Sequence, residues 1–525
     1  MLLKGCSVPV ALRRRAVTIP LALLVMLAVY ACWEQQTSPC CSGLGSWPSI
    51  PSFPSGSKAT DNHLSLPELD ELTTKPQIPV SENAEYCNKR FTAAYLEDLR
   101  DHAMQYCEPV NGKMPTSRLT CFHAHVRDDK KADSFCFGTG ATWDPGAKRF
   151  RLDCPVIHKP DANETAAGLE SFDSLTTSWF KTGPKQVFDY FVSLTQNETP
   201  QSEKSSLWPN KLPQQESFVI LVKREGNNNL WHSLMEIWSM MNSVDVLRMA
   251  NHQDGSHRGH TFFETPNYLD NTYVVMLDDY PEESTFDLWR YFAPGNPIVK
   301  LQDMIDYHVK VPAPLLVPGG KVNIIVPMSG ASNPLWQNDW FVKDCNNAPL
   351  LKLLVRRVFE HHHVPFAIGP RPIAGGNEKD ITVTFIDRRG TRQLVNHEPL
   401  FEKLQGRYPN VIIDKVDFAT LSLRDQLRLV QDTDILVGVH GAGLTHTMFM
   451  REGAGAVVEI QPENLGHKGF RNLAAMMGHK YFSAQAEMVV TGDEEEKKEK
   501  EEGHKGTETT PRTKMTNHGS LPMYA

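Results

Sequence analysis

The segment from Asp434 to His446, Asp434-Ile435-Leu436-Val437-Gly438-Val439-His440-Gly441-Ala442-Gly443-Leu444-Thr445-His446, leads an apolar strand pattern into small residues and then a helix start. Glycines there let backbone approach a ligand closely. The N–H groups at the start of the following helix, Thr445 to Met450, suit a phosphate. His440 and His446 would each add a donor, or a positive charge, to a pyrophosphate. A tight strand–helix turn without a ligand would carry the same glycines. The paired histidines and the strand before them are what favour a ligand. A second segment, Asp387 to Asn396, places Arg388, Arg389 and Arg392 just after a strand. Arginine forks match phosphate oxygens in bidentate geometry, so this cluster would neutralise a departing diphosphate. An exposed basic turn is the plainer alternative.

A third segment spaces Asn229, His232 and Glu236 at i, i+3 and i+7, on one helix face. His232 as a base oriented by Glu236 is the chemical reading. An amphipathic helix packing Leu234, Trp238 and Met241 on the other side is the plain one. No metal site is expected. Asp278-Asp279 is not an Asp-x-Asp pair, no Cys-x-x-Cys is present, and the run His361-His362-His363 reads as structural.

The elements that must hold these residues alternate. Strand patterns cover Phe218–Val222, Tyr273–Leu277, Val322–Val326, Ile381–Ile386, Val411–Ile413, Ile435–Val439 and Ala456–Ile460. Helical patterns cover Leu230–Asn242, Pro349–His361 and Ser422–Asp432. Nearly continuous apolar runs suit buried parallel strands. Their alternation with helices predicts an α/β fold of doubly wound sheets, with a break near Ile368–Asn377 and a ligand cleft between two halves.

The chain has 525 residues, 40% of them hydrophobic, and a formal net charge of -8. That balance argues against a nucleic-acid binder. Arg13-Arg14-Arg15 precedes an apolar run from Ala16 to Trp33, which reads as a signal-anchor with a cytosolic N-terminus. A cleaved signal peptide is the rival reading. Residues 1–34 are then tail and anchor, and Ser/Pro-rich residues 35–84 a stem. Sequons at Asn163 and Asn197 agree with a lumenal body. So do Cys87, Cys107, Cys121, Cys136, Cys154 and Cys345, which read as disulfides in an oxidising lumen, with pairing left open. The Glu/Lys-rich end, residues 488–525, reads as a solvated tail.

These segments resemble glycosyltransferase family 61, and within it the branch containing the EGF-domain-specific O-linked N-acetylglucosamine transferase. Gln426-Leu427-Arg428, Asp432 to Ile435 and Gly438 to His446 carry the strongest likeness. Arg388 through Asn396 resembles the family's two arginines followed by Asn, and Asn229 to Glu236 its Asn-x-x-His helix. His397 departs from the family's usual Asn-Glu. The resemblance implies a GT-B architecture, two facing Rossmann-like domains at 216–367 and 376–487, with residues 85–215 as a cysteine-rich extension. It implies inverting transfer with no obligatory cofactor. Arg388, Arg392, Asn396, His440, Gly441, Ala442, Gly443, Thr445 and His446 would bind the donor, a UDP-sugar, and His232 with Glu236 would activate the acceptor. The expected donor is UDP-GlcNAc, and the expected acceptor a Ser or Thr hydroxyl of a secretory protein, in the endoplasmic reticulum or Golgi membrane as a single-pass type II protein. UDP-xylose-dependent transfer to a glycan, and a lumenal glycan-binding module without activity, are the alternatives.

Overall fold

The computed structural model describes residues 83–487, apart from internal stretches of which 195–216, 252–261 and 372–379 are the longest. The expected anchor, the stem up to residue 82, Asn197 and the charged tail lie outside the described residues. Among the described residues no helix is long and apolar enough to cross a membrane. Asn163 is exposed, in a short helix whose N-cap is Asp161.

The described chain is mixed α/β, with two sheets. In the first, β1 (Ala103–Gln105), β2 (Arg118–Ala124) and β3 (Asp133–Asp144) pair antiparallel, and β3 joins β9 (Val322–Val326) antiparallel. From β9 the sheet continues in parallel through β6 (Phe218–Val222), β7 (Thr272–Met276) and β8 (Val299–Lys300). β4 (Arg149–Leu152) and β5 (Val192–Leu194) hang from β3. The cysteine-rich segment and the parallel strands therefore share one sheet. The antiparallel part was not legible as strands, because β2 and β3 mix polar and apolar residues on both faces.

The second sheet is parallel throughout. Its order is β11 (Val411–Val416), β10 (Ile381–Ile386), β12 (Ile435–Val439), β13 (Ala456–Pro462) and β14 (Lys480–Ala486). The order in which the chain adds strands reverses between β10 and β12. The first sheet has the same kind of reversal between β9 and β6. Ligands in open α/β sheets bind outside the carboxyl ends of strands at such points.

Helices α1 (Ala84–Phe91) and α2 (Ala93–Asp101) open the described chain. The long α3 (Leu230–Met249) and α4 (Pro349–His361) follow β6 and β9, and α5 (Glu398–Arg407), α6 (Leu423–Gln431) and α7 (Gly469–Met476) serve the second sheet. Side chains alternate along each strand. Ile220 and Val222 of β6 and Leu436 of β12 enter one shared core with Trp238, Leu354, Leu427, Met448 and Leu473. Val219 and Leu221 face a second core, and Ile435 and Val437 a third. Because α3 belongs to the shared core, Ser233 through Leu247 are buried without interruption. This differs from the amphipathic helix expected, and α3 runs seven residues beyond its expected end at Asn242. Its buried Asp245 is matched by a bidentate Arg357 of α4, with hydrogen bonds of 2.8 and 2.9 Å.

Three disulfides join Cys87 to Cys345, Cys107 to Cys154 and Cys121 to Cys136. The first ties α1 to the segment before α4 across a sequence separation of 258.

Candidate active site

The first sheet builds one rim of the site at its reversal point. Beyond β6 the chain reads Lys223-Arg224-Glu225, and beyond β9 it turns through Ser329 and Gly330. Arg224 is buried, and it grips Asp278 at the end of β7 with hydrogen bonds of 2.6 and 3.0 Å. Asp278 thus serves the frame. Glu225 is fully buried. Its Oε1 accepts from the Ala331 amide at 2.7 Å, and its Oε2 lies 3.1 Å from His232 Nδ1. A carboxylate there keeps the proton on Nδ1 and leaves the Nε2 lone pair available. The ring of His232 stands edge-on to Trp336, 4.5 Å between centroids, and to the exposed Phe180 at 5.3 Å.

The orienting acid is therefore Glu225, and Glu236 has another place. Glu236 Oε1 accepts from the Glu225 amide, one turn of helix below the imidazole. Burial, and then the Glu225 charge, push its carboxyl well above the usual range. Gly330 makes this packing possible. A Cβ there would stand 3.0 Å from both Glu225 Oε1 and Glu236 Cγ.

The second sheet builds the other rim at its own reversal point. Arg388 and Arg392 follow β10, and His440 through Gly443 follow β12. Arg392 Nη1 donates to the His440 carbonyl at 3.1 Å. Gly441 has φ 146°, and a Cβ on it would overlap Arg388 Nη1 and stand 3.2 Å from Arg392 Nη1. Two guanidinium groups thus converge on one glycine. Burial, and then the Arg392 charge, lower the Arg388 pKa. Bringing an anion to that point relieves the repulsion.

Behind the loop, His440 Nδ1 meets Glu459 Oε1 at 2.5 Å, and Tyr481 Oη donates to Glu459 Oε2. Glu459 is fully buried. His440 also stands edge-on to His467, whose Nε2 lies 2.9 Å from Asp339 Oδ2. Ala442 and Gly443 are partly exposed at the start of a 3-10 helix, Ala442–Phe449, which begins three residues before the expected helix start at Thr445. Thr445 and His446 lie beneath this loop, buried, so they support it from below. His446 Nδ1 is 2.8 Å from the Gly443 carbonyl and Nε2 2.7 Å from Gln426 Oε1. Asn396 is exposed in a left-handed turn before α5, with φ 58°.

The rims meet through aromatic side chains. Trp336 neighbours Trp231 at 6.3 Å, Trp231 neighbours Phe470 at 5.9 Å, and Phe470 neighbours His440 at 5.4 Å. The structure therefore brings His232, Arg388, Arg392, His440 and Gly441 around one seam. Sequence reasoning missed Glu225 and Glu459. A carboxylate within the apolar run Ala456-Val457-Val458-Glu459-Ile460 is itself a signal, since such groups are rarely buried without a task. Glu225 had a weaker one, its place at the carboxyl end of a parallel strand.

Residues 230–457 match the family model described as Glycosyltransferase 61. Among curated proteins it is similar to EGF domain-specific O-linked N-acetylglucosamine transferase of Drosophila melanogaster, 23% identical over 286 residues, covering 53% of this chain and 47% of that protein. The Bos taurus protein of the same name is 31% identical over 153 residues, 28% of this chain and 27% of that one. An alpha-1,3-arabinosyltransferase of Oryza sativa subsp. japonica is 30% identical over 100 residues, 18% of this chain and 17% of that one. The matched stretches span about half the length of the Drosophila relative and less of the other two.

Proposed function

We propose that the chain is an inverting glycosyltransferase of GT-B build, moving a sugar from a UDP-sugar onto a hydroxyl acceptor. The observation that carries this reading is the convergence of Arg388 and Arg392 on Gly441, across the aromatic seam from His232 and Glu225. The diphosphate sits against the two guanidinium groups and the amides that open the 3-10 helix. The acceptor oxygen forms a bond to the anomeric carbon as the bond from that carbon to the diphosphate oxygen breaks. His232 Nε2 takes the hydroxyl proton, and Glu225 stabilises the imidazolium through Nδ1. Charge builds on the leaving diphosphate, where the arginines are already fixed.

The proposed donor is UDP-GlcNAc and the proposed acceptor a Ser or Thr hydroxyl on a secretory protein, in keeping with the N-acetylglucosamine transferases among the relatives. The arabinosyltransferase relative supports a second reading, a pentose donor and a glycan acceptor. The apolar run before Trp33 and the three disulfides support a type II protein of the endoplasmic reticulum or Golgi, with its catalytic part lumenal. The test is a panel of nucleotide sugars offered to the purified full chain with folded protein and glycan acceptors. Transfer from UDP-GlcNAc to a Ser or Thr is the expected result. Transfer from a UDP-pentose alone selects the second reading, and failure to bind any nucleotide sugar removes both.

A further inference from the structure

One corner of the molecule gathers two imidazoles and two carboxylates. Asp98 and His102 are four residues apart at the end of α2, and His125 follows β2. One ligand atom from each of these three lies within 4.8 Å of the others. His102 Nδ1 is 2.8 Å from the Asp98 carbonyl and 3.1 Å from its Oδ1. Those acceptors keep the proton on Nδ1 and present the Nε2 lone pair, the arrangement found behind metal-bound histidines. Gly168 closes over that nitrogen. A Cβ there would stand 3.0 Å from His102 Nε2 and 3.4 Å from His125 Cε1, so both rings converge beneath one residue.

Glu170 completes the group, with Oε1 3.2 Å from His125 Nε2. Its Oε2 accepts from Ser174 Oγ at 2.7 Å, and Asp98 Oδ2 accepts from the His125 amide at 2.8 Å. Both carboxylates are therefore already oriented. The side chains of His102, Asp98, His125 and Glu170 keep 27%, 26%, 30% and 27% exposure, so an ion can enter from solvent.

We propose that His102, His125 and Glu170 bind a Zn2+ ion, with Asp98 holding His102 from behind. Two imidazoles with a carboxylate suit zinc by ligand type. Ligand atoms around tetrahedral zinc stand roughly 3.3 Å apart, as bond lengths of about 2.0–2.1 Å require. The ligating side chains therefore draw in when the ion binds. The ion ties α2, the end of β2 and the loop at Glu170 into one unit. All four residues precede the region matched by the family model, so the site stands independently of the transferase reading.

The test titrates ZnCl2 into the full chain after chelator treatment and dialysis, following bound zinc and melting temperature. One equivalent should bind and raise the melting temperature. His102→Ala and His125→Ala should each weaken binding at least tenfold, and Glu170→Gln should weaken it less. His158→Ala is the control, because both nitrogens of His158 already face carboxylates, Glu108 at 2.6 Å and Glu164 at 2.9 Å. It should bind as the parent does. Replacing zinc by Co2+ should give a visible absorption band that His125→Ala abolishes. No bound zinc, or undiminished affinity in His102→Ala and His125→Ala, overturns the site. Should both alanine variants fail to fold, undiminished zinc affinity in a folded Glu170→Gln, with an unchanged Co2+ band, overturns it.

Discussion

Each rim holds a histidine whose Nδ1 meets a fully buried glutamate, His232 with Glu225 and His440 with Glu459. The surroundings differ. His232 stands between aromatic rings, beside a second buried acid. His440 stands beside a backbone that receives Arg392 and touches Arg388. One pairing, placed in two settings, suits two tasks. A ring that must take a proton needs an acid behind it and no cation nearby. A ring beside a diphosphate gains from positive neighbours.

Substitutions can break this comparison. The largest expected effect is on the first rim. His232→Ala should lower kcat by about a thousandfold, within the range for a general base, while nucleotide affinity stays near the parent value. Equal losses of kcat and affinity would move His232 out of the base role. Next comes Arg388→Met, which keeps bulk and removes charge. It should weaken UDP binding about a hundredfold, the scale of one lost charge contact in a preorganised site. Calorimetry with UDP alone reads this without any acceptor. Glu225→Gln should lower kcat by about tenfold to a hundredfold and shift the pH–rate profile, because the imidazolium loses its anionic partner. A variant that lost stability but kept its pH profile would make Glu225 purely structural.

The smallest expected effect on activity accompanies a change in stability beneath the first rim. Asp133 is fully buried, with Tyr95 Oη at 3.2 Å and Gln337 Nε2 at 3.3 Å. Burial pushes its carboxyl up to about 7, against the pull of Arg127. The folded state therefore holds a proton that the unfolded state releases near pH 4. The associated stability is fully present below about pH 4 and is lost as pH rises through 7. Asp133→Asn should accordingly stabilise the protein by about 4 kcal/mol at pH 8 relative to its effect at pH 4. Melting curves at the two pH values check this, and a pH-independent change would refute it.

Much of the parallel part of both sheets was legible. β6, β9, β10, β12 and α4 begin and end where their apolar patterns do, because buried parallel strands carry unbroken runs and α4 alternates faces. The antiparallel strands before β6 were hidden, since β2 combines Arg118, Thr120 and His123 with buried apolar residues. At the site, glycines and arginines announced themselves by type. The acids behind the histidines did not. Glu225 reaches His232 from another element, and nothing in their spacing distinguishes that from the helical neighbour Glu236. His446 misled in the opposite way, since its motif position says nothing about which side of the loop it takes.

The bond between Cys87 and Cys345 carries a consequence for synthesis. Cys107 with Cys154 and Cys121 with Cys136 can close while the chain is still emerging, each over a short stretch. Cys87 comes before all four and must remain a thiol until its partner arrives much later. During that interval it can attack the wrong sulfur, so a chain released before residue 345 keeps a reactive handle. Completion of α4's neighbourhood is thereby recorded in covalent form, and a quality-control system that reads free thiols could tell finished molecules from unfinished ones.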